Sequence, residues 1–410
     1  MQRSCNRALS QRPRKPTVLE ISSNYFSPDK GSTPADARPS ARELSLTGIE
    51  RALWPHSPKP PKNLAFALAI ALFRHGALTR DETARIGLIG TRRFPIVDRA
   101  LRIEPLLEYR RHVKADSDGS IRTVLDVRRL TRGGRVESIE AVTIPHREDL
   151  TLCLSSQVGC ALACSFCATG FLGWRANLTP GEIVEQHAWA ERLAGRRVTN
   201  IVFMGMGEPL LNYENVIEAA YRLTRTEGAQ VSHRKIVIST AGVVPMIRRF
   251  TREAHPFQLF FSISSAIPEK RREIMPIEAT YCLQELREAM VEYLASRKRN
   301  RLVTIEYVAI PDVNMGEADV EALRKFVDGL PCILDVIPYN AVGDRYRPPT
   351  WAEVKNFTTA IGSLDIPVKI RYSGGKSVAA GCGQLAADQV TAATPGGHMT
   401  APPGIFSDLH

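Results

Sequence analysis

The chain predicts an α/β fold in which a parallel sheet curls into a full or partial (β/α) barrel, preceded by a small helical domain and a short β region. Two observations carry this. From residue 150 onward, short apolar runs rich in Val, Ile and Phe alternate with longer amphipathic stretches, the pattern of repeated βα units. In the loop after the first of those runs stands Cys160-Ala-Leu-Ala-Cys164-Ser-Phe-Cys167. Reactive groups of βα barrels gather at the C-terminal ends of the strands, and these three thiols fall at such an end.

Each element follows from its own stretch. Residues 1–62 read as a disordered leader, with prolines at 13, 16, 28, 34, 39, 55, 58, 60 and 61 set among Ser, Thr and Arg. Residues 63–110 form a small helical domain on the run Leu64-Ala-Phe-Ala-Leu-Ala-Ile-Ala-Leu-Phe73. A second helix is expected over 81–89, where Asp81 and Glu82 supply an acidic first turn. Residues 111–150 form a β-rich connector with strands at 123–127 and 141–144. The barrel occupies 151–388, with strands at 152–155, 200–204, 235–239, 258–263, 304–309, 332–337 and 368–371. Helices are expected near 179–194, 213–226, 243–253, 281–298, 317–329 and 351–361, and a flexible tail over 389–410.

Composition bounds the function. A chain of 410 residues is long enough for a large core, and 44% hydrophobic with 24% charged residues is ordinary for a soluble protein. No apolar run approaches a membrane span and Met1–Lys15 lacks an apolar signal core, so a cytoplasmic protein is expected. Of eight cysteines, Cys153, Cys160, Cys164 and Cys167 crowd into one stretch, which suits a metal cluster in a reducing compartment better than a disulfide scaffold. Cys5, Cys282 and Cys332 belong to no motif. The net charge of +11 favours a polyanionic partner, although a plain solvated basic surface explains it equally well.

Three soft thiolates at CxxxCxxC spacing hold a [4Fe–4S] cube by three corners and leave the fourth iron without a protein ligand. S-adenosylmethionine (SAM) chelates such an iron through its amino and carboxylate groups, and one electron from the cluster splits it to a 5′-deoxyadenosyl radical. Zinc is the competing reading, but it needs a second CxxC-like pair or histidines, and neither lies near. After the second barrel strand comes Met204-Gly-Met-Gly-Glu-Pro209, where Gly207 permits close backbone approach and Glu208 is suited to an ammonium group. Ser239 and Ser262 end the third and fourth strands and offer hydroxyls to SAM, or simply cap helices. Asn340 is a further polar candidate.

The runs Thr151-Leu-Cys-Leu-Ser-Ser-Gln-Val-Gly-Cys160-Ala-Leu-Ala-Cys-Ser-Phe-Cys167, Gly205-Met-Gly-Glu-Pro-Leu-Leu-Asn212, Val303-Thr-Ile-Glu-Tyr307 and Gly381-Cys-Gly-Gln-Leu385 closely resemble the RlmN/Cfr family of radical SAM RNA methyltransferases. The likeness extends from about residue 118 to 388. It implies a radical SAM barrel that methylates a ring carbon of adenosine, C2 in preference to C8, in ribosomal or transfer RNA. It implies Cys160, Cys164 and Cys167 as cluster ligands, and Gly207, Glu208, Ser239, Ser262, Ile263, Ser264 and Asn340 as SAM contacts. Cys382 matches the cysteine that is first methylated and whose carbon radical adds to adenine. Cys153 matches the thiol that then forms a transient disulfide with Cys382 and releases product. Glu140 matches the proton acceptor, against the plain reading of a surface strand glutamate. Adenine's ring carbons are electrophilic, so polar methyl transfer finds no nucleophile there, whereas radical addition needs none.

The resemblance further implies a monomer served by an electron donor such as flavodoxin or ferredoxin. It stops short of residues 1–110, and Ser262-Ile-Ser-Ser-Ala-Ile stands where the family typically has Ser-Leu-His-Ala-Pro-Asn, which puts Ser264 at the histidine position. RNA phosphates are expected at Arg128, Arg129, Arg132 and Arg135 or at Arg297-Lys-Arg-Asn-Arg301. The rival functions are a radical SAM enzyme with another substrate and a non-catalytic iron–sulfur RNA-binding protein.

Overall fold

The computed structural model describes residues 37–131, 136–297, 302–364 and 366–387. Most of the expected leader, the expected tail from 389 and residues 132–135 and 298–301 therefore lie outside the described residues. The leader ends sooner than expected. Helix α1 (Leu46–Leu53) lies within it, because Pro39, Pro55, Pro58 and Pro60 bracket this segment rather than interrupt it. Ser45 caps the helix by accepting from Gly48 N, and Ile49 and Leu53 are buried. Helices α2 (Lys62–Ala69), α3 (Arg80–Ile86) and α4 (Phe94–Ala100) complete the N-terminal helical unit.

A buried ion pair, Arg42 to Glu185 at 3.3 Å, joins this unit to the barrel. Glu185 also accepts from the backbone N–H groups of Leu106 and Leu107, so its charge is compensated on two sides. Strands β1 (Leu107–Lys114), β2 (Ile121–Val127), β3 (Ser138–His146) and β4 (Asp149–Cys153) run as an antiparallel meander. Sequence reading missed most of β1. Only Leu107 in it is buried, and an edge strand of Glu, Arg, His and Lys shows no apolar alternation.

From β4 the sheet turns parallel and continues through β7 (Asn200–Phe203), β8 (Ile236–Thr240), β9 (Gln258–Ser262), β10 (Val303–Ala309), β11 (Cys332–Pro338) and β12 (Val368–Ile370), after the small hairpin of β5 (Gln157–Gly159) and β6 (Trp174–Asn177). Six of the seven barrel strands stand where expected to within a residue at each end. The first, β4, begins three residues and ends two residues earlier than expected because it pairs with β3. The one-turn α5 (Ala168–Phe171) and then α6 (Pro180–Ala194), α7 (Tyr213–Thr224), α8 (Val244–Glu253), α9 (Pro268–Ile274), α10 (Leu283–Ser296), α11 (Glu317–Val327) and α12 (Trp351–Gly362) intervene.

The order is that of an open, partial barrel. Along β8 and β9 burial alternates with the period of the pleat. Ile236, Ile238, Leu259 and Phe261 are sealed, while Val237, Ser239, Phe260 and Ser262 are half-buried and face the opposite side. That second side is the lumen. Among the described residues no helix is long and apolar enough to cross a membrane.

Candidate active site

The cysteine loop leaves β5 at the C-terminal mouth of the barrel. Gly159 makes the exit possible, since at φ +72° a Cβ there would lie 1.8 Å from the carbonyl oxygen of Gly173. Ala163, itself left-handed at φ +52°, turns the loop between Cys160 and Cys164. Cys160 N donates to Gly173 O (3.1 Å), Ser165 N to Ile274 O (3.0 Å) and Ala168 N to Gly383 O (2.7 Å), which fixes the loop from three elements. Burial pushes all three thiols up, and Cys160 and Cys164 are raised further by neighbouring thiols and by Glu208. Buried thiolates at such a spot need a cation. Among the described residues no three His, Cys, Asp or Glu side chains converge on a single-ion site. Three thiols on one short loop, with no histidine or second cysteine pair beside them in sequence, are the kind of donor set that a [4Fe–4S] cube takes from a protein.

The C-terminal segment closes the mouth. After β12 it crosses to β2 and β3, where Gly375 N donates to Asp118 Oδ2 (2.8 Å) and Arg122 Nη1 donates to Ala379 O (3.2 Å). Asn340 Nδ2 donates both to Ser373 Oγ and to the Cys382 carbonyl, each at 3.0 Å. Thr169 Oγ1, next to the cysteine loop, donates to Leu385 O. Cys382 is thereby held beside the loop of three cysteines and close enough to Cys153 to raise its pKa. Burial is the larger cause of that rise. Both sulfurs are free thiols, so the expected disulfide is not formed in this structure. Two deprotonated sulfurs would repel, so Cys382 disfavours loss of the Cys153 proton.

A charged cluster that sequence reading missed surrounds this pair. Arg371 Nη1 donates to Glu306 Oε1 (2.7 Å) and approaches Met204 Sδ (3.2 Å), while Nη2 donates to Asp335. The Ser239 hydroxyl donates to the other oxygen of Glu306. Register places Ser262, Glu306 and Asp335 level on adjacent strands. Burial works against the Arg371 cation, but Glu306 and Asp335 more than offset it and hold the guanidinium charged. Arg371 in turn lowers both Cys153 and Cys382 against the upward push of burial. The available signal was a charged residue inside an otherwise apolar parallel strand, as in Val303-Thr-Ile-Glu-Tyr307.

The remaining expected site residues divide. Gly207 takes φ +101°, where a Cβ would lie 2.6 Å from Gln157 Cβ. Glu208 is buried, its carboxylate accepting from Leu210 N (3.0 Å) and Ala241 N (2.9 Å), and burial pushes it up to about 7. Thr240 adds a side-chain hydrogen bond to the same carboxylate. Asn340 is buried with its Oδ1 unpartnered. Ile263 contributes backbone: its carbonyl accepts from Arg271 Nε (3.2 Å). Ser264 is fully buried at φ +51°, its Oγ against Val308 N and its carbonyl accepting from Asn314 Nδ2 (2.6 Å). Ser264 therefore supports the fourth strand's end instead of presenting a hydroxyl to the mouth.

Glu140 is not a surface residue: it is buried, 3.9 Å from Arg122 Nε, the arginine that also holds the Cys382 segment. Of the basic clusters, Arg129 is engaged with Glu182 and Asn177 O, and Arg128 with Pro105 O. Arg297 donates to His255 O. A cleft of about 700 Å³ lined by His233, Arg234, His255 and Arg297 opens at the N-terminal ends of β8 and β9, and none of Cys153, Cys160, Cys164, Cys167 and Cys382 lines it.

Known proteins agree with this architecture. The radical SAM superfamily model matches residues 154–327. A probable RNA methyltransferase of Myxococcus xanthus is 43% identical over 350 residues, covering 85% of this chain and 94% of the relative. The dual-specificity RNA methyltransferase RlmN of Syntrophobacter fumaroxidans is 43% identical across 61% of this chain and 73% of its own length. The crystal structure of a radical SAM methyltransferase from Sphaerobacter thermophilus superposes with a TM-score of 0.77 at 34% identity, covering 85% of this chain and 99% of that one. The chain belongs to the RlmN/Cfr family of radical SAM methyltransferases. It is a SAM-dependent methyltransferase with a [4Fe–4S] cluster and SAM as cofactors.

Proposed function

We propose that this enzyme methylates a ring carbon of adenosine in ribosomal or transfer RNA, C2 rather than C8, through a methylated Cys382. The observation that carries the reading is the approach of Cys153 and Cys382, far apart in sequence, beside the loop of Cys160, Cys164 and Cys167. Simple hydrogen abstraction from a peptide or small molecule has no use for such a pair. The cluster, held by those three cysteines, and SAM supply a methyl group and a radical initiator when bound.

This chain's residues do the rest. The Cys382 thiolate, favoured by Arg371, accepts the methyl group. Gly207, Glu208, Ser239, Ser262, Ile263 and Asn340 form the SAM-facing wall, with Ser264 bracing it from behind. Once the S-bound carbon has joined the base, the Cys153 thiolate attacks the Cys382 sulfur. After the base adduct has given up its unpaired electron to the redox centre, the Cys382 sulfur–carbon bond breaks as a sulfur–sulfur bond forms. The electron pair stays with the transferred carbon, which takes up a proton to become the methyl group, and two electrons from an external dithiol or reductase later reopen the disulfide. Glu140 takes the proton lost by the base. A one-electron protein donor of the flavodoxin or ferredoxin class completes the cycle for a cytoplasmic, monomeric enzyme.

The test is Cys153→Ala expressed in cells. Product release should stall and leave RNA covalently joined to Cys382, seen as an RNase-sensitive shifted band on denaturing gels. Unimpeded turnover without that band would remove the role. Mass spectrometry of nucleosides from cells with and without the enzyme separates 2-methyladenosine from 8-methyladenosine.

A further inference from the structure

Trp351 and Tyr372 are the two most exposed large apolar side chains among the described residues, at 59% and 57% of full exposure. They are far apart in sequence yet adjacent in space, ring centroids 6.0 Å apart and planes inclined at 42°. Both lie on the rim of the mouth. Trp351 opens α12 at the end of the loop leaving β11, and Tyr346 of that loop hydrogen-bonds Ser165 inside the cysteine loop (2.9 Å). Tyr372 directly precedes Ser373, which shares the Asn340 amide with the Cys382 carbonyl.

Lys376 adds a cation, its Nζ 5.9 Å from the Tyr372 ring centroid. The nearby Arg345 and Arg347 are committed to Glu273, Asp312 and Glu353, whereas Lys376 has no carboxylate partner among the described residues. Two solvated rings with an unpaired ammonium beside them match the chemistry of an unstacked nucleotide strand: bases have two π faces, and the phosphates between them are anionic.

We infer that Trp351 and Tyr372 are a stacking platform for unpaired RNA nucleotides flanking the target adenosine, with Lys376 on the adjoining phosphate. The inference rests on the RNA methylation proposed above and assigns part of its substrate recognition. An adenine must leave its stack to reach the Cys382 sulfur, and neighbouring bases that lose their own stacking partners find replacements on these rings. The rim thus offsets part of the unstacking cost and holds the strand in register over the mouth. Neither ring touches the reacting atoms, so both are positioning residues.

The experiment compares reconstituted holoenzyme with Trp351→Ala, Tyr372→Ala, the double variant, Trp351→Phe and Lys376→Ala. Binding of a hairpin RNA with a loop adenosine is measured across a salt series, together with RNA-independent methylation of Cys382. Each alanine should weaken RNA binding by about tenfold, leave Cys382 methylation at the wild-type level and leave the slope against log salt unchanged. Trp351→Phe should recover most of the affinity. Lys376→Ala should instead flatten the salt slope by about one phosphate contact.

If the wild type binds the hairpin and the double alanine variant binds it equally well, the platform is overturned while the methyltransferase reading stands. If the wild type binds neither this hairpin nor total ribosomal or transfer RNA, the RNA substrate itself is wrong. Dimerisation through the two rings with RNA affinity unmoved would also overturn the platform. Unchanged Cys382 methylation shows that each variant is folded.

Discussion

Gly207→Ala tests whether the glutamate turn at the mouth is set by backbone geometry. Gly207 sits at φ +101°, and an added Cβ would lie 2.6 Å from Gln157 Cβ and 2.9 Å from Gln157 N. Gln157 cannot simply move away. Its Oε1 accepts from Glu208 N (2.9 Å), its Nε2 donates to Asn177 (2.7 Å), and its own N donates to Met206 O. Forcing a side chain into that φ costs about 1–3 kcal/mol, and the overlap in a packed site a further ~1–3 kcal/mol. The sum, about 2–6 kcal/mol, is a large part of the ~5–15 kcal/mol that stabilises a typical protein.

Gly195→Ala is the internal control. Gly195 ends α6 at φ +65°, with nothing within 4 Å of its missing Cβ, so only the ~1–2 kcal/mol conformational cost applies. Urea unfolding should show both midpoints lowered and that of Gly207→Ala lowered clearly further. SAM affinity, by equilibrium dialysis of the reconstituted protein, should fall only in Gly207→Ala. Coincident midpoints and wild-type SAM binding in both variants would falsify the steric argument.

Replacing Cys164 by Ser should drop iron and sulfide per purified chain nearly to zero, and full retention would detach that thiol from the cluster. In Arg371→Gln, Glu306 and Asp335 lose their cation, which should destabilise the fold by about 3–5 kcal/mol. Iodoacetamide should then alkylate Cys382 more slowly at neutral pH and regain its rate as pH rises. An unchanged pH–rate curve would show that Arg371 does not tune the thiol. His187 is buried and held neutral, its pKa lowered by burial and by Arg197 to about 4. The unfolded chain, with a histidine pKa near 6.5, takes up the proton first. Its contribution to stability is therefore complete above about pH 6.5 and lost as pH falls toward 4, some 3 kcal/mol in all. A His187→Gln variant should flatten that acid limb in urea titrations at pH 4.5 and 7.5.

Much of this enzyme was legible in one dimension because its signals are local. A buried parallel strand needs a short run such as Ile236–Thr240, and a helix needs a stripe and a cap such as Thr179 with Glu182, so βα units announce themselves. The cysteine loop announces itself too, since Cys160, Cys164 and Cys167 all fall in one short run. Helix α1 was hidden among prolines that frame it, and β1 among charges suited to an edge. Ser264 and Glu140 showed their residue types, but not that the first braces a strand end and the second is buried beside Arg122. The chain alone thus determined the order of elements and the soft, oxidisable ligands they carry. Only the folded barrel decided that Cys153, Glu306, Asp335, Arg371 and Cys382 share one lumen. Strand register and closure of the C-terminal segment set those distances, and both depend on packing between residues that have no proximity in sequence.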